Sequence, residues 1–251
     1  MAAMISIAID LRRKLFPAVG EAPTRLVYED FSLAVAPNLC LGLLGRSGTG
    51  KTTLLNIVAG LDRDYEGRVQ FAGAGREPRI AYVFQTPRLL PWRTALENVM
   101  LPLPPKLDST QRALQLLEEM GVGATRDAYP GRLSIGEQRR VALARAFAIE
   151  PDLLLMDEPF VSLDEGTANQ LRALLTDLLE RRPTTVIFVT HDLREAFRLT
   201  DRLVFQAGTP ARILLDMANP LGKAERNDDA AIELVRARYR SYEPLWEKPW
   251  N

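Results

Sequence analysis

The sequence predicts an α/β fold: a parallel β-sheet covered by helices, with a helix-rich block inserted into it. Three observations carry that prediction. Short apolar runs at 39–44, 80–84, 153–156 and 186–190 are separated by stretches of helical spacing, the pattern of buried parallel strands alternating with helices. A glycine-rich loop stands between the first of these runs and a helical segment. The stretch 87–150 differs in texture and is dominated by two long helical patterns.

Taken in order, residues 5–9 alternate apolar and polar, and 27–35 also read as strand. The Pro- and Gly-bearing FPAVGEAPT lies between them as a loop, so the two form an antiparallel edge. After the glycine loop, TTLLNIVAG has helical spacing and ends at Gly60, a C-terminal cap. Inside the helical block, Asp108 with Gln111 reads as a capping box for a helix ending near Met120. Ser134 with Glu137 reads as another, opening a helix through Ala148. Beyond Ile213 strand character is lost, and one terminal helix is expected over 228–242, followed by the tail WEKPWN.

Composition bounds the rest. A chain of 251 residues, 47% apolar, can bury one large core, with or without a small insert. Its 32 basic and 32 acidic residues cancel, so it lacks the basic excess of proteins that bind nucleic acid by neutralising phosphates. The single cysteine, Cys40, lies in an apolar run and reads as a small core residue, consistent with a reducing, cytosolic setting. MAAMISIAIDLRRK has too short an apolar stretch for a secretory signal, and no run approaches the ~20 residues of a membrane span.

Gly45, Arg46, Ser47, Gly48, Thr49, Gly50, Lys51 and Thr52 match G-x-x-x-x-G-K-[ST] between a strand and a helix. The glycines let backbone N–H groups turn inward around phosphate oxygens, and the helix start adds partial positive charge. Lys51 reaches the terminal phosphates of ATP, the Thr52 hydroxyl is placed for Mg²⁺, and Thr53 follows on the first helical turn. A second signal is the apolar strand that ends in Asp157 and Glu158. Carboxylates there are costly unless compensated; Mg²⁺ compensates Asp157, and Glu158 polarises the attacking water. His191, the only histidine, follows another apolar strand at the end where α/β sheets bind ligands. Gln85 ends the strand at 80–84 and can reach the metal or water. Ser134 and Gly136 at a helix start form a second anion site.

The order of these motifs resembles the nucleotide-binding subunit of ATP-binding cassette (ABC) transporters over residues 1–215. The match is the phosphate loop, Gln85, LSIGEQ at 133–138, LLLMDEP at 153–159, SLD at 162–164 and His191. The resemblance implies a P-loop NTPase (RecA-like) core over 1–86 and 151–215, a helical subdomain over 87–150, and a C-terminal helical tail over 216–251. It further implies a head-to-tail dimer with two ATP at the interface. There Ser134, Gly136 and Glu137 of one copy close over nucleotide held by the other. In that scheme Glu158 is the catalytic base, His191 contacts the terminal phosphate and Asp164 links the two sites. Gln85 serves catalysis, and Thr52, Gln85 and Asp157 hold Mg²⁺. Phe16 is the candidate for stacking on adenine. Ile135 departs from the glycine usual in the signature, and Glu137 is a common variant of its glutamine.

A narrower similarity lies in Arg88-Leu-Leu-Pro-Trp92-Arg-Thr-Ala-Leu-Glu-Asn-Val, which is similar to importers of nitrate, sulfonate, taurine and related small anions. Trp92 is either a contact knob for a membrane partner or a residue packing the helical insert onto the core. The resemblance implies transmembrane permease subunits as partners, indirectly a solute-binding protein, and a peripheral place on the cytoplasmic face of the membrane. A non-transport ABC ATPase acting on nucleic acid or ribosomes is the alternative; the tandem cassettes, coiled-coil inserts and zinc-binding cysteines usual in that class are absent here. A phosphate-loop kinase or regulator leaves LSIGEQ and His191 unexplained.

Overall fold

A computed structural model describes residues 4–239 except 19, 21, 22 and 74. Alternation of buried and exposed side chains builds β1 (Ser6–Phe16) and β2 (Arg25–Val35), the period of half-buried strands. β3 (Cys40–Leu44) is buried at every position and leads through the glycine loop into α1 (Lys51–Val58). Ala59 caps that helix and Gly60 follows at φ 70, the left-handed residue the sequence places there. β4 (Glu66–Ala72) and β5 (Ile80–Val83) come next. Three helices follow: α2 (Ala95–Met100), α3 (Leu107–Glu119) and α4 (Ile135–Ala148). The remainder is β6 (Leu153–Asp157), α5 (Glu165–Arg181), β7 (Thr185–Thr190), α6 (Leu193–Leu199), β8 (Arg202–Ala207), β9 (Arg212–Ala218) and α7 (Asp229–Tyr239).

The chain forms two compact units. One comprises Met4–Gly75 and the chain from Thr185 onward. In it β1 pairs antiparallel with both β2 and β4, with Ile9 opposite Leu33 and Val69. β3 lies between β7 and β8, parallel to both, and β9 closes that ladder antiparallel to β8. The helices α6 and α7 bury Phe197, Ile232 and Val235 with Leu44, Leu203 and Phe205 in one apolar cluster. Full burial of such a side chain stabilises by about 1.5–3 kcal/mol. Cys40 is buried, and desolvation raises its thiol far above the usual value, so it behaves as a core residue.

The other unit contains Arg76–Thr184. Here β5 pairs parallel with β6, Val83 opposite Met156. α4 is its central helix, burying Val141, Leu143, Ala144 and Phe147 and packing against α2, α3 and α5.

Two expectations are corrected. Asp108 and Gln111 do not open α3 with a capping box: Lys106 is the N-cap, extended at φ −127 and ψ 154, with no side-chain cap bond. The Ser109 hydroxyl donates 2.6 Å to the Pro104 carbonyl and Ser109 N donates 3.0 Å to the Lys106 carbonyl, drawing the helix start two residues earlier. Asp108 instead sits in the first turn, where a carboxylate favours the helix dipole. Strand character also persists past Ile213, because β9 runs to Ala218. Its half-buried positions alternate with exposed ones on an edge strand, and Arg202 Nε donates 2.6 Å to Asp216. α7 starts at Asp229; residues 240–242 of the expected helix and the tail lie outside the described residues.

Candidate functional site

The glycine loop leaves the carboxyl end of β3 and enters α1 through Gly50, the N-cap, at φ 98. A Cβ at Gly50 would stand 2.5 Å from Val27 Cγ1, so both its backbone and its neighbours require glycine. Side-chain donors take up the loop's carbonyls. Lys51 Nζ donates to the Gly45 oxygen at 2.6 Å and the Arg46 oxygen at 2.7 Å. Arg25 donates to the Gly48 oxygen. Gln206 Nε2 donates 2.8 Å to the Thr49 oxygen and 3.1 Å to the Tyr28 hydroxyl, and that hydroxyl donates 3.0 Å to the Gly50 oxygen. Tyr28 and Gln206 are both 0% exposed. Burial pushes the Tyr28 phenol well above its ordinary range, partly offset by Gln206, so it stays a proton donor. A loop that cradles an anion must turn its carbonyls away from it, and here side-chain donors hold them.

His191 follows β7, and Thr190 at that strand's end is in register with Leu44, the residue before Gly45. The histidine and the loop therefore begin at the same end of adjacent parallel strands. The exposed His191 is framed by turn bonds: Asp192 N donates 3.0 Å to Thr190 Oγ1, and Asp192 caps α6 by accepting from Arg194 N at 2.7 Å. Phe16, 42% exposed, pairs across β1 and β2 with Arg25, the residue that reaches Gly48. Lys14 lies over its ring, 4.6 Å from the centroid. Thr52 is exposed, and Thr53 half-buried, in the first turn of α1.

In the unit that contains Arg76–Thr184, Gln85 follows β5 while Asp157 and Glu158 come at the end of β6. Gln85 Nε2 lies 3.5 Å from Glu158 Oε2. Asp157 is 6% exposed behind four buried apolar residues. Ser134 caps α4 as the sequence indicates. Its Oγ accepts from Glu137 N at 3.2 Å, and Glu137 returns a bond to Ser134 N at 2.8 Å. A Cβ at Gly136 would stand 2.8 Å from Thr167 Cγ2, so glycine lets the start of α4 approach α5. Ile135, where the family pattern has glycine, is 56% exposed. Asp164 caps α5, accepting from Thr167 N at 2.9 Å and Thr167 Oγ1 at 2.6 Å, and those bonds hold its carboxyl below the usual range. Trp92 is 68% exposed and so does not pack the helices onto a core.

Sequence reasoning missed the residues that hold these loops. Beyond Arg25, Tyr28 and Gln206 these are Arg139, Arg145 and Asn98. Arg145 donates to the carbonyls of Pro87 and Arg88 at 2.8 and 2.9 Å, just after Gln85. Buried Asn98 accepts from Leu90 N at 2.8 Å and donates to the carbonyls of Leu90, Arg93 and Thr94, fixing the Trp92 loop. Gln206 alone carried a signal, a polar residue inside the apolar run of β8.

Among the described residues no group of three or more His, Cys, Asp or Glu could cage a metal. Mg²⁺ needs no such cage, since it keeps waters and takes one or two carboxylates plus substrate phosphates. A buried carboxylate at the end of an apolar strand, as at Asp157, fits that donor set.

The family profile for ABC transporters matches residues 28–161. An aliphatic sulfonates import ATP-binding protein from Burkholderia lata is 40% identical over 235 residues, 92% of this chain and 84% of its own length. A protein of the same description from Bacillus subtilis is 36% identical over 96% of this chain and 97% of its own. Among solved structures, a dimeric ATP-binding cassette in a post-hydrolysis state with ADP and Pi covers 86% of this chain and 100% of its own. Its TM-score is 0.74 at 29% identity. A dimeric bacterial ABC transporter cassette gives 0.75 at 30% identity, with the same coverage.

Proposed function

The chain belongs to the ABC transporter family of ATP-hydrolysing cassettes, and we propose that it powers an importer for aliphatic sulfonates or related small anions. The observation that carries the nucleotide half of this reading is the loop at 45–52, whose carbonyls are turned onto Lys51, Arg25, Gln206 and Tyr28. The substrate half rests on the two relatives described as sulfonate import proteins.

In this reading the loop amides and Lys51 bind the phosphates of ATP, Phe16 stacks on the adenine, and His191 hydrogen-bonds the terminal phosphate. Glu158 takes a proton from the attacking water as general base, and Gln85 orients that water. Thr52, Gln85 and Asp157 would hold Mg²⁺, which neutralises charge developing on the phosphates. Ser134, Gly136 and Glu137 act on nucleotide bound by a second copy, and Asp164 links the two sites. That arrangement makes the active species a head-to-tail dimer. Exposed Trp92 is a contact for the transmembrane permease. The permease places the chain on the cytoplasmic face of the membrane and connects it indirectly to a solute-binding protein.

Deletion of the gene should abolish growth on an alkanesulfonate as sole sulfur source while growth on sulfate continues. Normal growth on the sulfonate would reject the substrate assignment. ATPase activity per chain should rise with protein concentration and fall when Ser134 is replaced by Arg. Activity that ignores both would reject the composite dimeric site.

A further inference from the structure

Glu158 is the first residue of a turn that its own backbone holds loosely. It sits at φ 45, and Ser162 at the far side of the turn sits at φ 63, both in the left-handed region that disfavours residues with a Cβ. The turn's backbone bonds are long: Val161 N to Glu158 O is 3.3 Å, and Leu163 N to Phe160 O is 3.3 Å. Such a conformation persists only where the surroundings over-determine it.

Arg139 supplies that constraint. It lies on the buried side of α4, 7% exposed, five residues after the Ser134 cap. Its Nη1 donates to the Pro159 carbonyl and its Nη2 to the Val161 carbonyl at 2.6 Å. These two oxygens lie between the left-handed residues, and one rigid planar fork spans both. A lysine ammonium is a single flexible point charge and cannot fix two carbonyls in one geometry.

We infer that Arg139 is a positioning residue for Glu158, setting the backbone from which the carboxylate projects toward water. The inference rests on Glu158 being the general base. It also makes α4 a mechanical link: the helix that begins at Ser134 carries, five residues on, the group that sets the turn after Glu158.

The test uses the full chain with MgATP and compares Arg139→Gln, Arg139→Lys, Glu158→Gln and the double variant Arg139→Gln/Glu158→Gln. Steady-state kcat and KM and the melting temperature are measured for each. Arg139→Gln should lower kcat tenfold or more with KM for ATP within twofold of the parent, and Arg139→Lys should recover only part of that loss. In the Glu158→Gln background, adding Arg139→Gln should change residual turnover less than twofold, since a residue acting through the base has nothing left to position. A kcat for Arg139→Gln within twofold of the parent overturns the inference. So does a loss expressed in KM alone, or a tenfold loss that persists without the Glu158 carboxylate. If Arg139→Gln fails to fold, Arg139→Lys, alone and in the Glu158→Gln background, carries the same comparison. Unchanged turnover in Glu158→Gln rejects the base assignment itself, whereas an inactive Glu158→Gln beside a normal Arg139→Gln rejects only the positioning role.

Discussion

Two carbonyls of the loop at 45–52 are held differently from the turn after Glu158, although Arg25 and Lys51 take up other carbonyls of the same loop. Behind the loop stands a buried neutral pair, Tyr28 and Gln206, which takes up the carbonyls of Thr49 and Gly50. The turn after Glu158, like the one after Gln85, is held by guanidinium groups from α4: Arg139 on Pro159 and Val161, Arg145 on Pro87 and Arg88. The contrast follows from what each segment carries. A loop that binds a polyanion gains attraction from its own amides, so neutral donors suffice at Thr49 and Gly50. A turn that carries a carboxylate gains from fixed positive groups nearby, and a guanidinium remains charged even when partly desolvated. Desolvation does lower the Arg145 pKa, but from a value far above neutrality.

Substitutions can break this division of labour. The largest expected effect is that of Glu158→Gln, which should lower kcat by about 10²–10⁴-fold, the usual contribution of a general base. ATP binding, measured by equilibrium titration, should be retained. Loss of binding together with turnover would mean that the carboxylate turn also builds the nucleotide site.

Next in size is Gly50→Ala in the loop. A Cβ there meets Val27 Cγ1 at 2.5 Å on a backbone at φ 98. The conformational cost and the overpacking together should destabilise by about 2–4 kcal/mol, read from the urea midpoint. Gly60→Ala is the control. It shares a positive φ of 70 but meets nothing within 4 Å, so it should lose only the conformational part. Equal losses in the two variants would show that packing behind the loop contributes nothing.

Lys51→Ala follows. Removing a charge-assisted donor from the phosphates should weaken ATP binding by roughly 1.5–3 kcal/mol, about 10–100-fold in Kd. A large fall in kcat at unchanged Kd would move the lysine from binding to chemistry.

Much of this was legible in the sequence, for local reasons. The glycine loop, the caps at Gly60 and Ser134 and the carboxylates ending β6 are each defined by a few adjacent residues, and each lies where its pattern indicates. The supports were not legible, because they join residues far apart in the chain: Tyr28 to Gln206, Arg139 to Val161, Arg145 to Pro87. An arginine at a helical position reads as a solvated face until the fold brings carbonyls to it. β4, β8 and β9 were overlooked for a related reason. The edge strands β4 and β9 expose many of their side chains, and β8 is interrupted by Gln206, so none shows a long apolar run.

The smallest predicted effect bears most directly on the neutral wall. Tyr28→Phe keeps the ring, which packs 4.7 Å from Phe31, and removes only the hydroxyl. Gly50 loses one side-chain donor, while Gln206 keeps its 2.8 Å bond to Thr49. The cost to stability should be about 1 kcal/mol, the net worth of one buried hydrogen bond. ATP affinity should fall a few-fold, because the Gly50–Lys51 peptide gains freedom, while kcat at saturating ATP should not change. That pattern is the reverse of the one expected for Arg139→Gln. If Tyr28→Phe instead lowers kcat and leaves affinity alone, the wall behind the loop acts on the chemistry, and the division between a binding loop and a catalytic turn does not hold.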